Sequence, residues 1–208
     1  NIIDYITIAS TGDAADFGDL DDAQGYGGGC SNAHGGIEAY DPRVGPITGS
    51  RAAFGGQYTF PSGTGVITYL NLASLGNSSD FGTLLAVKML AAGMSSTTRG
   101  LFGGGGEPGH SNNVSSIEFH SQGNCANFGD LTLARSYVAG VSSQTRGVIG
   151  GGLAPASNVI DYGTIATMGN FADFGDLTQS RQYLEGNGSP TRGMFHGGLS
   201  PVTDTVDY

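Results

Sequence analysis

Asn127-Phe128-Gly129-Asp130-Leu131, then Arg146-Gly147-Val148-Ile149-Gly150-Gly151, then Ile160-Asp161-Tyr162: this order of three short motifs decides the fold, because the chain writes it four times. Phe17, Phe81, Phe128 and Phe174 carry the first motif at intervals of 64, 47 and 46 residues. Arg99, Arg146 and Arg192 each follow their Phe by 18 residues, whereas Arg51 follows Phe17 by 34, so the first repeat holds about 16 extra residues between Gly29 and Ser50. The apolar-acid-aromatic motif occurs five times, as Ile3-Asp4-Tyr5, Ile67-Thr68-Tyr69, Ile117-Glu118-Phe119, Ile160-Asp161-Tyr162 and Val206-Asp207-Tyr208. The repeats run 1–65 with the insertion near 30–49, then 66–113, 114–158 and 159–205, and 206–208 begin a following repeat or a closure strand.

Each unit reads as strands. Ile2 to Ser10 is rich in β-branched and aromatic residues, and Gly147-Val148-Ile149 is an apolar run stopped by glycine. No segment offers ten residues of capped helical periodicity. Such a unit cannot bury both faces alone, so neighbours must stack, radially as a propeller or linearly as a solenoid or fibre. Glycine makes up 38 of 208 residues, more than twice the usual share of roughly 7 %. Glycine runs after a short apolar strand fit tight turns or close backbone approach.

The diglycines 55-56, 103-104, 150-151 and 197-198, the acid-aromatic strands, and Arg135 and Arg181 before a small-residue strand resemble the kelch type of β-propeller repeat over essentially the whole chain. That family usually holds a Trp in its core; this chain has none, and Phe17, Phe81, Phe128 and Phe174 are expected to take that role. The phrases DYITIA, DFGDL and TRGLFGGG are similar to kelch-like repeats of phage tail-fibre and virion-surface proteins, cyanophage ones especially. The resemblance implies an all-β propeller of about four blades, either by itself or as part of a larger ring or array. It also implies a non-enzymatic module on the extracellular virion surface, a tail fibre or decoration adhesin. Its variable loops would bind a host-surface glycan or protein, with other virion subunits and further copies of itself as partners. The alternative is a purely structural fibre or capsid subunit contacting only other virion proteins. A propeller enzyme acting on polysaccharide would need a paired carboxylate or a His/Arg/Tyr cluster, and the sequence nominates neither.

Eight basic against 18 acidic residues give a net charge of −10, a field that repels phosphate backbones, so nucleic acid is not an expected partner. No apolar run reaches the roughly 18 residues of a membrane-spanning helix, so no membrane insertion is expected. Cys30 and Cys125 form no CxxC pair and imply neither a disulfide framework nor a zinc site. The first residue is not Met, which suggests a processed chain or a segment of a longer one.

Four candidate groups remain. The turns Gly12-Asp13, Gly76-Asn77, Gly123-Asn124 and Gly169-Asn170 could offer oxygens to Ca²⁺, but Asx capping of tight turns is the simpler reading. Arg99, Arg146 and Arg192 could ring an anion, but ion pairs across the strands or bonds to carbonyls are the simpler account. His34, His110, His120 and His196 share no common repeat position, and no catalytic residue, metal or cofactor is expected. Binding is expected on the first-repeat insertion, at Tyr26, His34, Tyr40 and Arg43, where aromatic and polar groups could stack on sugars and bond their hydroxyls.

Overall fold

The computed structural model describes residues 2–21, 23, 25, 27–32, 51–59, 62–106, 109–153, 155–199 and 202–208. Among them every regular element is a β-strand. The chain opens with a hairpin, β1 (Ile2–Tyr5) and β2 (Ala15–Asp19). Blade 1 follows, with β3 (Gly28–Ser31), β4 (Arg51–Gly55), the short β5 (Tyr58–Thr59), β6 (Ser62–Asn71) and β7 (Ser79–Lys88). Blade 2 consists of β8 (Ala92–Ser95), β9 (Arg99–Gly103), β10 (Asn113–Glu118) and β11 (Ala126–Asp130). Blade 3 consists of β12 (Ala139–Ser142), β13 (Arg146–Gly150), β14 (Ser157–Thr164) and β15 (Ala172–Arg181). Blade 4 has three strands, β16 (Glu185–Gly188), β17 (Gly193–His196) and β18 (Val206–Asp207). Pairing within each blade is antiparallel, and β3, β8, β12 and β16 stand innermost, each against the next. The fold is a four-bladed β-propeller.

Register corrects two motif assignments. Gly150 faces Ile160 in blade 3 and Gly103 faces Val114 in blade 2, so Val114-Ser115-Ser116 is the counterpart of Ile160-Asp161-Tyr162. The similar-looking Ile117-Glu118-Phe119 lies three residues further on, where Ile117 and Phe119 point into the core and Glu118 ends the strand at the surface. In blade 4, His196 faces Val206, so the counterpart of the 150-151 pair is His196-Gly197 and not 197-198. The physical reason is the neighbour: a Cβ at Gly103 would run into Ile149, and one at Gly150 would lie 3.0 Å from the Phe195 ring. Each blade leaves that position bare for a bulky residue of the next, and His196 meets no such residue among those described.

Glycine also sets the distance between blades. A Cβ at Gly140 would lie 2.7 Å from the Gly93 carbonyl oxygen, one at Gly186 would lie 2.7 Å from that of Gly140, and Gly93 stands closer still to Gly29. On the outside, Gly18, Gly82 and Gly129, each at a φ between 151° and 153°, back onto the carbonyls of Gly76, Gly123 and Gly169 in the next blade. A side chain at either belt would force the blades apart.

Between the belts the interfaces are apolar. Phe81, Phe102, Ile117 and Phe119 fill the space between blades 1 and 2, and Met94, Leu101, Phe128, Ile149 and Ile165 that between blades 2 and 3. Phe81 and Phe128 take the core role expected of them, while Phe174, on the outer strand of blade 3, is 55 % exposed. The difference follows from packing, because among the described residues no fourth strand of blade 4 covers it.

Three stability measurements check this packing. Gly140→Ala is expected to cost about 1–3 kcal/mol by overpacking, while Gly65→Ala, whose Cβ would meet only one carbonyl at 4.0 Å, should change denaturant stability by less than about 0.5 kcal/mol. Phe128→Ala should cost roughly 3–5 kcal/mol.

Candidate functional site at the axial mouth

The short links into β8, β12 and β16 each pass through a residue held in the left-handed region, Leu90 (φ 62°), Tyr137 (φ 57°) and Tyr183 (φ 56°). This conformation suits glycine; a residue with a Cβ pays roughly 1–2 kcal/mol for it. The turns join the blades in series: the Tyr137 N–H donates to Leu90 O at 3.1 Å, and the Tyr183 N–H donates to Tyr137 O at 3.2 Å. The same turns bring the two tyrosine rings together, with centroids 4.1 Å apart and planes tilted by 52°. Tyr183 is 45 % exposed and Tyr137 is half-buried. Behind them the starts of the four inner strands enclose a cavity of about 310 Å³, with Glu185 at its rim.

Of the binding residues expected from sequence, Tyr26, His34, Tyr40 and Arg43 all lie outside the described residues. Tyr26 stands 64 residues before Leu90, the same interval that separates Phe17 from Phe81, so it occupies the sequence position of Leu90, Tyr137 and Tyr183. Sequence reasoning did not single out Tyr137 and Tyr183. The usable signal was their shared offset of nine residues from Phe128 and Phe174.

Three of the four Asx turns do not cap themselves. Asn77, Asn124 and Asn170 each accept, through Oδ1, the backbone N–H of the preceding blade's outer strand, from Asp19, Thr83 and Asp130 at 3.0 to 3.1 Å. They latch one blade to the next. Among the described residues no group of three or more His, Cys, Asp or Glu could hold a metal ion.

The arginine series divides between ion pairing, carbonyls and ring faces. Arg99 pairs with Glu118 at 2.7 Å and donates to Ile165 O of the next blade at 2.8 Å, and Arg51 donates to Phe119 O at 2.6 Å. Arg51, Arg99, Arg146 and Arg192 lie over the rings of Tyr69, Phe128, Tyr162 and Tyr208. His110 Nδ1 meets Ser136 Oγ at 2.8 Å, but Ser136 is buried.

The buried cations form a separate series. Arg135 pairs with Asp161 at 2.8 Å and donates to Gly151 O and Val159 O, and Thr132 Oγ1 donates to the same carboxylate at 2.6 Å. Arg181, Asp207 and Thr178 repeat the arrangement in the next blade. Lys88 holds the corresponding place one blade earlier, but Ser115 stands where Asp161 would, and the ammonium donates instead to Asn113 O at 2.7 Å and Asn113 Oδ1 at 3.1 Å. Burial without a paired carboxylate lowers the Lys88 pKa from 10.5 to about 8, partly offset by Cys125 and Asp130.

No protein-family model matches this sequence, and no curated protein matches it.

A lowered lysine pKa means that the folded chain releases its proton before the unfolded chain does. Stability therefore rises with pH between about 8 and 10.5, and the burial cost is present in full below pH 8. Lys88→Met removes this contribution. The stability of the parent relative to the variant should rise, by up to about 3 kcal/mol, from pH 7.5 to pH 10.5 in denaturant titrations.

Proposed function

We propose that this chain is a non-enzymatic recognition module of a virion surface, of tail-fibre or decoration type, that contacts a host-surface glycan or protein. The observation that carries the reading is the axial mouth, where four equivalent inner strands present unlike, partly exposed side chains, Leu90, Tyr137, Tyr183 and Glu185. Recognition on repeat scaffolds works through such departures from equality. The likeness of its repeats to kelch-like phage proteins supports the placement on a virion. So does the low share of charged residues in the chain, 12 %.

Labelled protein incubated with whole bacterial cells tests this reading. Adsorption that survives protease treatment of the cells and is abolished by periodate identifies a glycan receptor; the reverse pattern identifies a protein. No adsorption to any cell type tried would sink it.

A second reading, an assembly subunit, is favoured by one latch left open. Gly175 on the outer strand of blade 3 has nothing within 4 Å, in contrast to Gly82 and Gly129. The β1–β2 hairpin carries an unused Gly12-Asp13 at the position of Gly76-Asn77, and its Ile8 is 95 % exposed. Beside Gly175 runs an apolar groove of about 570 Å³ lined by Val148, Ile160, Phe174 and Phe195. The occupant that fits is the hairpin of a second copy. If so, chains carrying Asp13→Cys and chains carrying Asp176→Cys should form a reducible heterodimer when mixed, and neither should do so with the parent chain.

A further inference from the structure

We propose that Tyr137 and Tyr183 form a carbohydrate platform: the axial mouth binds the apolar face of a neutral pyranose against the tyrosine pair, with hydroxyls turned to backbone groups of the inner strands and to Glu185. The inference rests on the surface-recognition reading and names the ligand class for the same mouth.

The first argument is that the backbone asks for glycine here and does not get it. The same chain uses glycine at φ between 65° and 69° in four equivalent turns, Gly56, Gly104, Gly151 and Gly197. The bond from Tyr183 N–H to Tyr137 O needs no side chain. Two tyrosines in a strained conformation are therefore explained by their rings and not by the turn. Strain of this sort is retained where the structure around it serves a site.

The second argument is the shape and chemistry of the mouth. The rings lie side by side at the rim of an open cavity of about 310 Å³, at the lower end of the ~300–1,000 Å³ usual for small-ligand sites. The wall behind them is largely glycine and alanine, so backbone N–H and C=O groups are the available polar partners. No Lys or Arg is among the described residues lining it, the only charged group there is Glu185, and the chain carries −10 overall. Phosphorylated, sulfated and carboxylated ligands are disfavoured by that field. A ligand with a flat apolar face, many hydroxyls and no negative charge matches what remains.

The test uses the full chain and its own fluorescence, since it has nine Tyr and no Trp. Neutral trisaccharides of glucose, galactose, mannose and rhamnose, and one sulfated galactose trisaccharide as contrast, are titrated while tyrosine emission is recorded. Binding of at least one neutral sugar, with none of the sulfated one, is expected. Tyr183→Gly and Tyr137→Gly should each weaken that binding at least tenfold while leaving the denaturant midpoint unchanged or higher, and Tyr183→Phe should keep it. Loss of stability in both glycine variants would make the pair a packing feature and overturn the proposal, as would glycine variants that bind as the parent does. If no sugar in the panel binds while the parent still adsorbs to cells, the carbohydrate assignment falls and the recognition reading stands. If adsorption is also absent, both fall.

Discussion

The structure depends on how closely one blade can approach the next, and that distance is set by backbone meeting backbone. In the inner belt, Gly93, Gly140 and Gly186 each take the carbonyl of the preceding blade where a Cβ would otherwise stand. In the outer belt, Gly18, Gly82 and Gly129 do the same with the carbonyls that follow. Between these fixed contacts the phenylalanines and branched residues have one depth to fill, which gives the interfaces their solid packing. The glycine content is thus neither flexibility nor low complexity; it is the clearance for stacking.

Buried cations tie each blade to the one that follows. Arg135 and Arg181 reach across to carbonyls and a carboxylate of the next blade, so their charge is met on several sides. A buried pair of this kind fixes geometry more surely than it adds stability. Lys88 does the same task with amide oxygens alone, and this makes the junction of blades 1 and 2 the electrostatically least complete of the buried-cation junctions described.

Much of the fold could be read from the chain because its repeats announce themselves: the Phe-Gly anchors lie within the outer strands, while the Arg that follows them and the glycines after the apolar run fall at or beside the two ends of β4, β9, β13 and β17. Register was harder. Ile117-Glu118-Phe119 looks more like the acid-aromatic motif than Val114-Ser115-Ser116 does, and only pairing with β9 shows that the core positions have moved by three. The mouth was harder still. Nothing in the local sequence around Tyr137 and Tyr183 marks a left-handed turn, since the conformation is imposed by the blade-to-blade hydrogen bonds and opposes the residue's own preference. The Asx turns misled for a related reason, because their side chains act on strands 40 to 58 residues away.

His196 bears on how such an array can change its length. Blades 1 to 3 each present a bare glycine on the trailing side and a bulky residue, Phe54, Phe102 or Ile149, at the matching place on the leading side. A duplicated copy of blade 2 or blade 3 could therefore be spliced between existing blades, and both new junctions would find the surfaces they require. A copy placed after blade 4 would drive its Phe or Ile into an imidazole. The surfaces for internal duplication are therefore built into blades 2 and 3, and His196 withholds the matching one from blade 4.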